Sequence, residues 1–73
     1  MTKTPAFDPD HIDHTNEDLM RHYFTRLAAE AGMKRREAEV LFRNTWDKLH
    51  RKLSADREDT FRIMRIHIQE AMA

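Results

Sequence analysis

A single glycine, Gly32, stands near the middle of a 73-residue chain that has no cysteine and only two prolines. Tight β-hairpin turns and phosphate-binding loops need glycine at defined positions, so this composition excludes every Gly-rich phosphate loop and most folds that are rich in β-turns. The absence of cysteine removes disulfide frameworks and thiolate zinc sites. Helices need neither residue, and the sequence therefore predicts an all-α fold in one small domain.

Apolar residues recur at helical spacing on both sides of Gly32. The first stretch predicts a helix over about 16–31, with Thr15 as its N-cap and Gly32 just past its end. The second stretch predicts a helix over about 34–53, with one apolar stripe and a charged opposite face. Because the connection between them is so short, we expect the two helices to form an antiparallel hairpin.

The third segment, over about 57–72, admits two interpretations. Ser54 or Asp56 can cap a helix there, and its apolar face would contain Phe61, Met64, Ile68, Ala71 and Met72. The same residues, FRIMRIHI, also form a broken alternation with three isoleucines, which is typical of a strand. We favour a helix, because no glycine or proline bounds the run and a lone strand would have no partner. The expected fold is a helical hairpin plus a third helix, a small three-helix unit.

The small size of this chain favours association with a partner. A domain this short buries only ~60% of its unfolded surface and is marginal alone. We therefore expect self-association, as a homodimer, or docking on a larger partner. Val40 is an apolar exception on the polar face of the second helix, and Ile63 and Ile66 would point away from the main stripe of the third. Apolar patches away from a core mark interfaces, so these three residues are the predicted partner interface.

Charge is balanced over the whole chain but not along it. Residues 1–18 carry one lysine against five carboxylates, and residues 19–53 carry nine basic against four acidic side chains. Residues 1–14 hold both prolines and no apolar periodicity, which predicts an acidic flexible arm ahead of a single helical domain over 15–73. No apolar run approaches the ~20 residues of a membrane span, and the acidic start does not resemble a signal peptide. We therefore expect a cytoplasmic protein that does not engage membranes.

Small residues around Gly32 follow a pattern found in helix-turn-helix DNA readers, with Ala28 four residues before it and Ala38 six after. Basic side chains of the second helix would then meet phosphates or bases. The possible nucleic-acid contacts are Lys34, Arg35, Arg36, Arg43, Lys48, Arg51 and Lys52. Glu37 and Glu39 fall in the same turn and would repel phosphate. A plain helical hairpin with a charged outer face is therefore the favoured interpretation.

Residues 15–53 also resemble the helical half of the histone-like proteins HU and IHF. The resemblance lies in a capped first helix, the sequence AAEAGM at its end, Ala38 six residues after the glycine, and a long amphipathic helix. In that family the hairpin builds an intertwined dimer and a Gly-rich β-arm grips DNA. Here Lys34 replaces the usual Ser or Thr cap, and no such strand follows the second helix. The resemblance implies a dimerising hairpin more than DNA binding.

Potential metal ligands gather near the N-terminus, at Asp8, Asp10, His11, Asp13 and His14. Imidazole and carboxylate groups can bind Zn²⁺, Ni²⁺ or Cu²⁺. The spacing matches no ligand motif, and ordering an arm around a metal costs ~1–2 kcal/mol per residue. We therefore predict a solvated acidic arm and no metal or other cofactor.

Catalysis has little support in the sequence. Ser54 is the only serine, it reads as a helix cap, and no nucleophile–base pair is evident. A three-helix unit of this size is not expected to hold a deep substrate pocket. The sequence therefore predicts a small non-enzymatic interaction protein, a regulator, inhibitor or adaptor that docks its helices on a partner protein. The alternative is a small dimeric DNA-binding protein that uses the basic second helix.

Overall fold

The computed structural model describes residues 11–73, and these residues form three helices and no β-strand. The helices are α1 (Glu17–Glu30), α2 (Arg35–Leu49) and α3 (Arg57–Met72). The predicted all-α three-helix fold is confirmed. The strand interpretation of FRIMRIHI is wrong, because this stretch lies wholly within α3.

Helix α1 begins one residue later than the predicted cap would place it. Asn16 is the N-cap, and its side chain accepts a hydrogen bond from the Leu19 N–H at 3.0 Å. Thr15 does not cap the helix, because its hydroxyl and its N–H both donate to the Asp13 carboxylate, at 2.6 and 3.2 Å. The residue before the helix is thus held by a local turn, and the next polar residue caps the helix.

Gly32 ends α1 as the sequence predicts. Its φ of +99° lies in the region that favours glycine. The Met33 N–H donates to the Ala28 carbonyl at 2.9 Å, and the Gly32 N–H donates to the Ala29 carbonyl at 3.0 Å. This pair of bonds is a Schellman motif, which satisfies carbonyls that the helix end would leave unpaired.

Helix α2 ends at Leu49, whereas the sequence predicted a helix to about Leu53. The chain turns after His50, and the Lys52 N–H donates to the Leu49 carbonyl at 2.9 Å. This turn lets Leu53 enter the core from the loop, where it is buried. The apolar periodicity therefore continued past the true end of the helix.

Helix α3 starts at a loop that its own side chains organise. Asp56 is the N-cap and accepts a hydrogen bond from the Asp59 N–H at 3.0 Å. The Thr60 hydroxyl donates to the Ser54 carbonyl at 2.8 Å and accepts from the Ser54 N–H at 3.3 Å. Thr60 is the one fully buried polar side chain among residues 11–73, and these bonds are the reason it can be buried.

The loop before α3 also ties down the start of the described chain. Ile12 is buried, and its N–H donates to the Ala55 carbonyl at 3.0 Å. His11 pairs with Asp56 in a single antiparallel bridge. His11 and Ile12 are therefore joined to the loop before α3, whereas the sequence predicted a flexible arm over 1–14. Residues 1–10 of that arm lie outside the described residues.

Helix α1 is the central element, since α2 and α3 both pack on it and approach each other much less. Phe24 and Phe42 lie at similar distances on either side of the turn, and their rings are 5.4 Å apart, so α1 and α2 are antiparallel. Tyr23 contacts Phe61 with ring centroids 5.1 Å apart, and further along, Leu27 and Ile68 line one cleft, so α1 and α3 are parallel. The core contains Ile12, Met20, Phe24, Leu27, Ala28, Ala38, Phe42, Leu49, Leu53, Met64 and Ile68.

Candidate docking surfaces

Two of the three apolar side chains predicted to meet a partner are exposed. Val40 is 51% exposed and Ile66 is 45% exposed, whereas Ile63 is half-buried and packs against the core. The difference follows from helix geometry. Ile63 lies one residue from buried Met64, about 100° around α3, and Ile66 lies two residues away, about 200° around it. Ile63 therefore sits at the flank of the core and Ile66 faces outward.

A third exposed apolar residue, Met72, was not singled out from the sequence. It is 48% exposed and lies at the end of α3. The sequence placed it on the apolar face of the third helix, but that face extends past the point where neighbouring helices cover it. The signal that could have found it is position alone, since a large apolar residue in the last turn of a helix has few neighbours.

Val40 and Met72 line the same groove, which has a volume of about 660 Å³. We call it the α2–α3 groove. Its apolar lining is Met33, Val40, Leu41, Ala71 and Met72, and its polar lining is Arg36, Glu37 and Asn44. The groove exists because the start of α2 and the last turn of α3 are both held by α1 but do not close on each other. Ile66 does not line it.

The basic side chains predicted to meet nucleic acid are all exposed, at Lys34, Arg35, Arg36, Arg43, Lys48, Arg51 and Lys52. They do not share one face. Arg43 and Lys48 are five residues apart, which places them about 140° apart around α2. Arg51 and Lys52 lie beyond the end of the helix, and Arg35 forms a 3.4 Å ion pair with Glu39.

The arrangement of α1 and α2 bears on the helix-turn-helix pattern. The start of α1 and the end of α2 meet at a cleft lined by Thr15, Glu17, Trp46 and His50, far from the turn at Gly32. The two helices thus run side by side along their whole length. Helix-turn-helix motifs cross steeply, at about 90–120°, so this geometry matches the plain hairpin instead.

A second cleft, between α1 and α3, was missed by sequence reasoning. It has a volume of about 240 Å³, and we call it the arginine cleft. Its lining residues are Tyr23, Arg26, Leu27, Glu30, Arg57, Phe61 and Arg65. The Arg57 guanidinium carbon lies 5.4 Å from the Tyr23 ring centroid and 5.2 Å from the Phe61 ring centroid. The available signal was the spacing of Arg57, Phe61 and Arg65, four residues apart on one face of the predicted third helix.

An aromatic ladder connects the core to the surface beside α2. The rings of Phe24, Phe42, Trp46 and His50 contact one another in turn at tilted angles, with ring centroids 5.4, 5.0 and 5.2 Å apart. The His50 Nδ1 lies 2.7 Å from the Trp46 carbonyl oxygen. Because a carbonyl only accepts, Nδ1 carries the proton and donates. The ladder makes Trp46, the only tryptophan, a reporter of how α2 packs.

The potential metal ligands near the N-terminus are only partly described. The Asp13 carboxylate accepts from the Thr15 hydroxyl and N–H, and these bonds lower the pKa of Asp13. This carboxylate is thus engaged in capping a turn. Within residues 11–73, no group of three or more histidine or carboxylate side chains is placed to hold a metal ion. Asp8 and Asp10 lie outside the described residues.

Comparisons with known proteins give no relative for this chain. No protein-family model, curated protein or solved structure matches it. Among the described residues, no helix is long and apolar enough to cross a membrane.

Proposed function

We propose that this chain is a small non-enzymatic interaction protein that docks on a partner protein through the α2–α3 groove. The proposal rests on the groove itself, which is lined by exposed Val40 and Met72 and by partly buried Met33 and Leu41. Exposed apolar groups that line one concavity are a better docking surface than the same groups scattered singly.

The groove suits an amphipathic helix of the partner. The residues of α2 that line the groove run from Arg36 to Asn44, which is about 12 Å along the helix, or two helical turns of a partner, and Met33 continues the apolar lining just before the helix begins. Such a wall accepts side chains repeated at i, i+3 or i+4, and i+7, which is the helix-in-groove mode. Arg36 and Glu37 on the lining supply charges of both signs that can set the direction of the docked helix.

A homodimer is a separate prediction, which rests on the small size of the chain. Ile66 lies outside the groove and is the apolar residue most suited to a separate contact between copies. A cytoplasmic location also remains a prediction.

DNA binding through α2 is the alternative, favoured by its exposed basic side chains. Against it, Glu37 and Glu39 are interleaved with those side chains, and Glu39 pairs with Arg35. If DNA were the ligand, affinity would fall steeply with salt and would be lost when Lys34, Arg35 and Arg36 are all changed to alanine. Anisotropy of a labelled duplex, at low and at physiological salt, measures both.

The groove is tested by placing a photo-cross-linking amino acid at position 40, inside it, or at position 35, which is exposed and lies about 140° away around α2. In the cells that make the protein, we expect a discrete protein adduct from position 40 and none from position 35. Adding Met72→Glu should remove the adduct, because a carboxylate would be buried against the docked helix. Equal cross-linking from both positions, or an adduct that Met72→Glu leaves unchanged, would show that the groove is not the docking site.

Sedimentation of the purified chain identifies whether the partner is a second copy. An adduct of twice the chain mass and a concentration-dependent sedimentation coefficient would indicate a homodimer through the groove. Circular dichroism of Met72→Glu controls for folding, and we expect its helix content to be unchanged because Met72 is half-exposed in the last turn.

A further inference from the structure

We infer that the arginine cleft binds an acidic segment of a partner protein, with carboxylates on its guanidinium groups and an apolar side chain against the rings of Tyr23 and Phe61. The cleft brings three arginines, Arg26, Arg57 and Arg65, to one concavity between α1 and α3. Guanidinium groups match carboxylates in charge and in planar, two-pronged geometry.

No carboxylate among residues 11–73 forms an ion pair with an arginine of the cleft. Among residues 11–73, the arginine ion pairs within 4.0 Å are those of Arg21, Arg35 and Arg62. Glu30 lines the cleft, so the lining carries three positive charges against one negative. Arg26 and Arg65 are exposed and can turn toward a ligand, whereas Arg57 is half-buried and held on two aromatic rings.

The contact of Arg57 with two aromatic rings matters for affinity. A flexible surface arginine loses rotamer freedom when it binds a carboxylate, which cancels much of the gain from an exposed ion pair. Arg57 has less of that freedom to lose, because it is half-buried and its guanidinium lies over the rings of both Tyr23 and Phe61. Its guanidinium is therefore an anchor, and Arg26 and Arg65 supply the other positive charges of the cleft.

The spacing of the cleft defines the kind of segment that fits. Arg57 and Arg65 are eight residues apart, so their backbones are about 12 Å apart along α3. In an extended peptide, residues i and i+4 are about 13 Å apart, and residues i, i+2 and i+4 share a face. An acidic residue at i and at i+4 can reach both arginines while an apolar residue at i+2 meets Phe61, which lies between them. The expected pattern is acidic–x–apolar–x–acidic.

A peptide fits this cleft better than a nucleic acid. A phosphate backbone presents a charge at every nucleotide, and Glu30 inside the cleft and Glu58 on the adjoining turn of α3 would face some of those charges. A peptide can carry carboxylates only at the positions that face arginines. The basic residues predicted to meet nucleic acid lie in α2 or next to its ends, and none of them lines this cleft.

The inference rests on the proposed function in one respect, since its ligand is a segment of a partner protein. The two surfaces share no lining residue, so each can be tested while the other is intact.

The experiment uses a fluorescein-labelled peptide that contains Glu-Ala-Leu-Ala-Glu and measures its anisotropy with the full chain at low salt. The variant is Arg26→Met with Arg65→Met, which removes two exposed charges and keeps apolar stems. The matched control is Arg43→Met with Arg51→Met, which makes the same charge change at two exposed positions that line neither the cleft nor the groove. We expect binding to weaken about tenfold or more in the cleft variant, and less than about twofold in the control.

Three further comparisons sharpen the outcome. A peptide with Gln in place of Glu should not bind, and one with Ser in place of Leu should bind more weakly than the parent. Arg57→Lys keeps the charge but loses the planar guanidinium that lies over both rings, and should also weaken binding. No binding at low salt, or equal loss in both arginine variants, would overturn the inference. Tighter binding of an oligothymidylate to the same arginines would overturn it in favour of nucleic acid.

Failure here and failure of the groove are distinguishable. Met72→Glu should bind the acidic peptide as the unmodified chain does, because Met72 does not line the arginine cleft. If the peptide does not bind but the position-40 adduct forms, the cleft inference fails alone. If the peptide binds but no adduct forms, the groove proposal fails alone.

Discussion

Thr60 offers the sharpest test of how the loop before α3 is held. Its hydroxyl donates to the Ser54 carbonyl at 2.8 Å and accepts from the Ser54 N–H at 3.3 Å, and its side chain is fully buried. Thr60→Val keeps the shape and removes both bonds, so both Ser54 backbone groups lose a partner. A buried polar group left unpaired costs about 1–3 kcal/mol. Because Ser54 is half-buried and can regain some water, we expect the lower part of that range, about 1–2 kcal/mol.

That cost is a large share of the stability of this chain. A domain of 73 residues has a free energy of unfolding of roughly 4–11 kcal/mol at typical values per residue. With a urea m-value of about 1 kcal/mol/M, the unfolding midpoint of Thr60→Val should fall by about 1–2 M. Circular dichroism at 222 nm measures the transition.

The chain supplies a matched control at Thr45, which is half-buried in α2. Its hydroxyl donates to the Leu41 carbonyl at 2.8 Å, but that carbonyl also accepts the regular helical N–H. Thr45→Val therefore leaves no group unpaired and should change the free energy of unfolding by less than about 0.5 kcal/mol. If Thr60→Val costs no more than Thr45→Val, the Thr60 hydroxyl does not hold the loop and the reasoning fails.

Three further changes probe helix ends and acid sensitivity. Gly32→Ala should lower the free energy of unfolding, measured by urea denaturation, by about 1 kcal/mol. The cost comes from the φ of +99°, since no heavy atom lies within 4 Å of the added Cβ. Gly32→Asn should cost less, because asparagine tolerates this region of φ. Asp56→Ala should cost about 1 kcal/mol by removing the α3 cap, again from urea midpoints, and Asp56→Asn should recover most of it. Burial, and then nearby Lys52, lower the pKa of His67 in the folded state. Below about pH 6.5 the unfolded chain therefore binds more protons than the folded chain does. The free energy of unfolding should decline over this range until the pH falls below the pKa of His67 in the folded state. His67→Gln should show a smaller shift of the urea midpoint between pH 7 and pH 5 than the unmodified chain, and an equal shift would contradict the assignment to His67.

Helix existence could be predicted because it depends on local patterns. Gly32 marks the end of α1, and the packing of Phe24 on Phe42 follows from apolar stripes on either side of a short turn. Helix ends were harder, because they depend on competition between neighbouring groups. Thr15 and Asn16 are both good caps, and what decides between them is the bond from Thr15 to Asp13.

The candidate surfaces were less predictable, because they depend on how α3 packs on α1. A helical wheel finds Val40 and Ile66 but does not show that Ile63 is covered, since that depends on the neighbours at the flank of the core. The arginine cleft needs the register that brings Tyr23 beside Phe61, which no local pattern states. The α2–α3 groove likewise exists only because α2 and α3 do not close on each other.

The position of α3 gives the molecule two surfaces of different chemistry. On one flank, α3 packs on α1, and the cleft between them holds three arginines, of which Arg57 lies over the rings of Tyr23 and Phe61. At its other end, the last turn leaves an apolar groove beside α2. Arg65 and Met72 are seven residues apart, about 10 Å along the helix, and substitutions at that separation with no shared neighbours act independently. The loss of peptide binding in Arg26→Met with Arg65→Met should therefore be the same with or without Met72→Glu, whereas a change in that loss would show that α3 moves as one body when either surface is occupied.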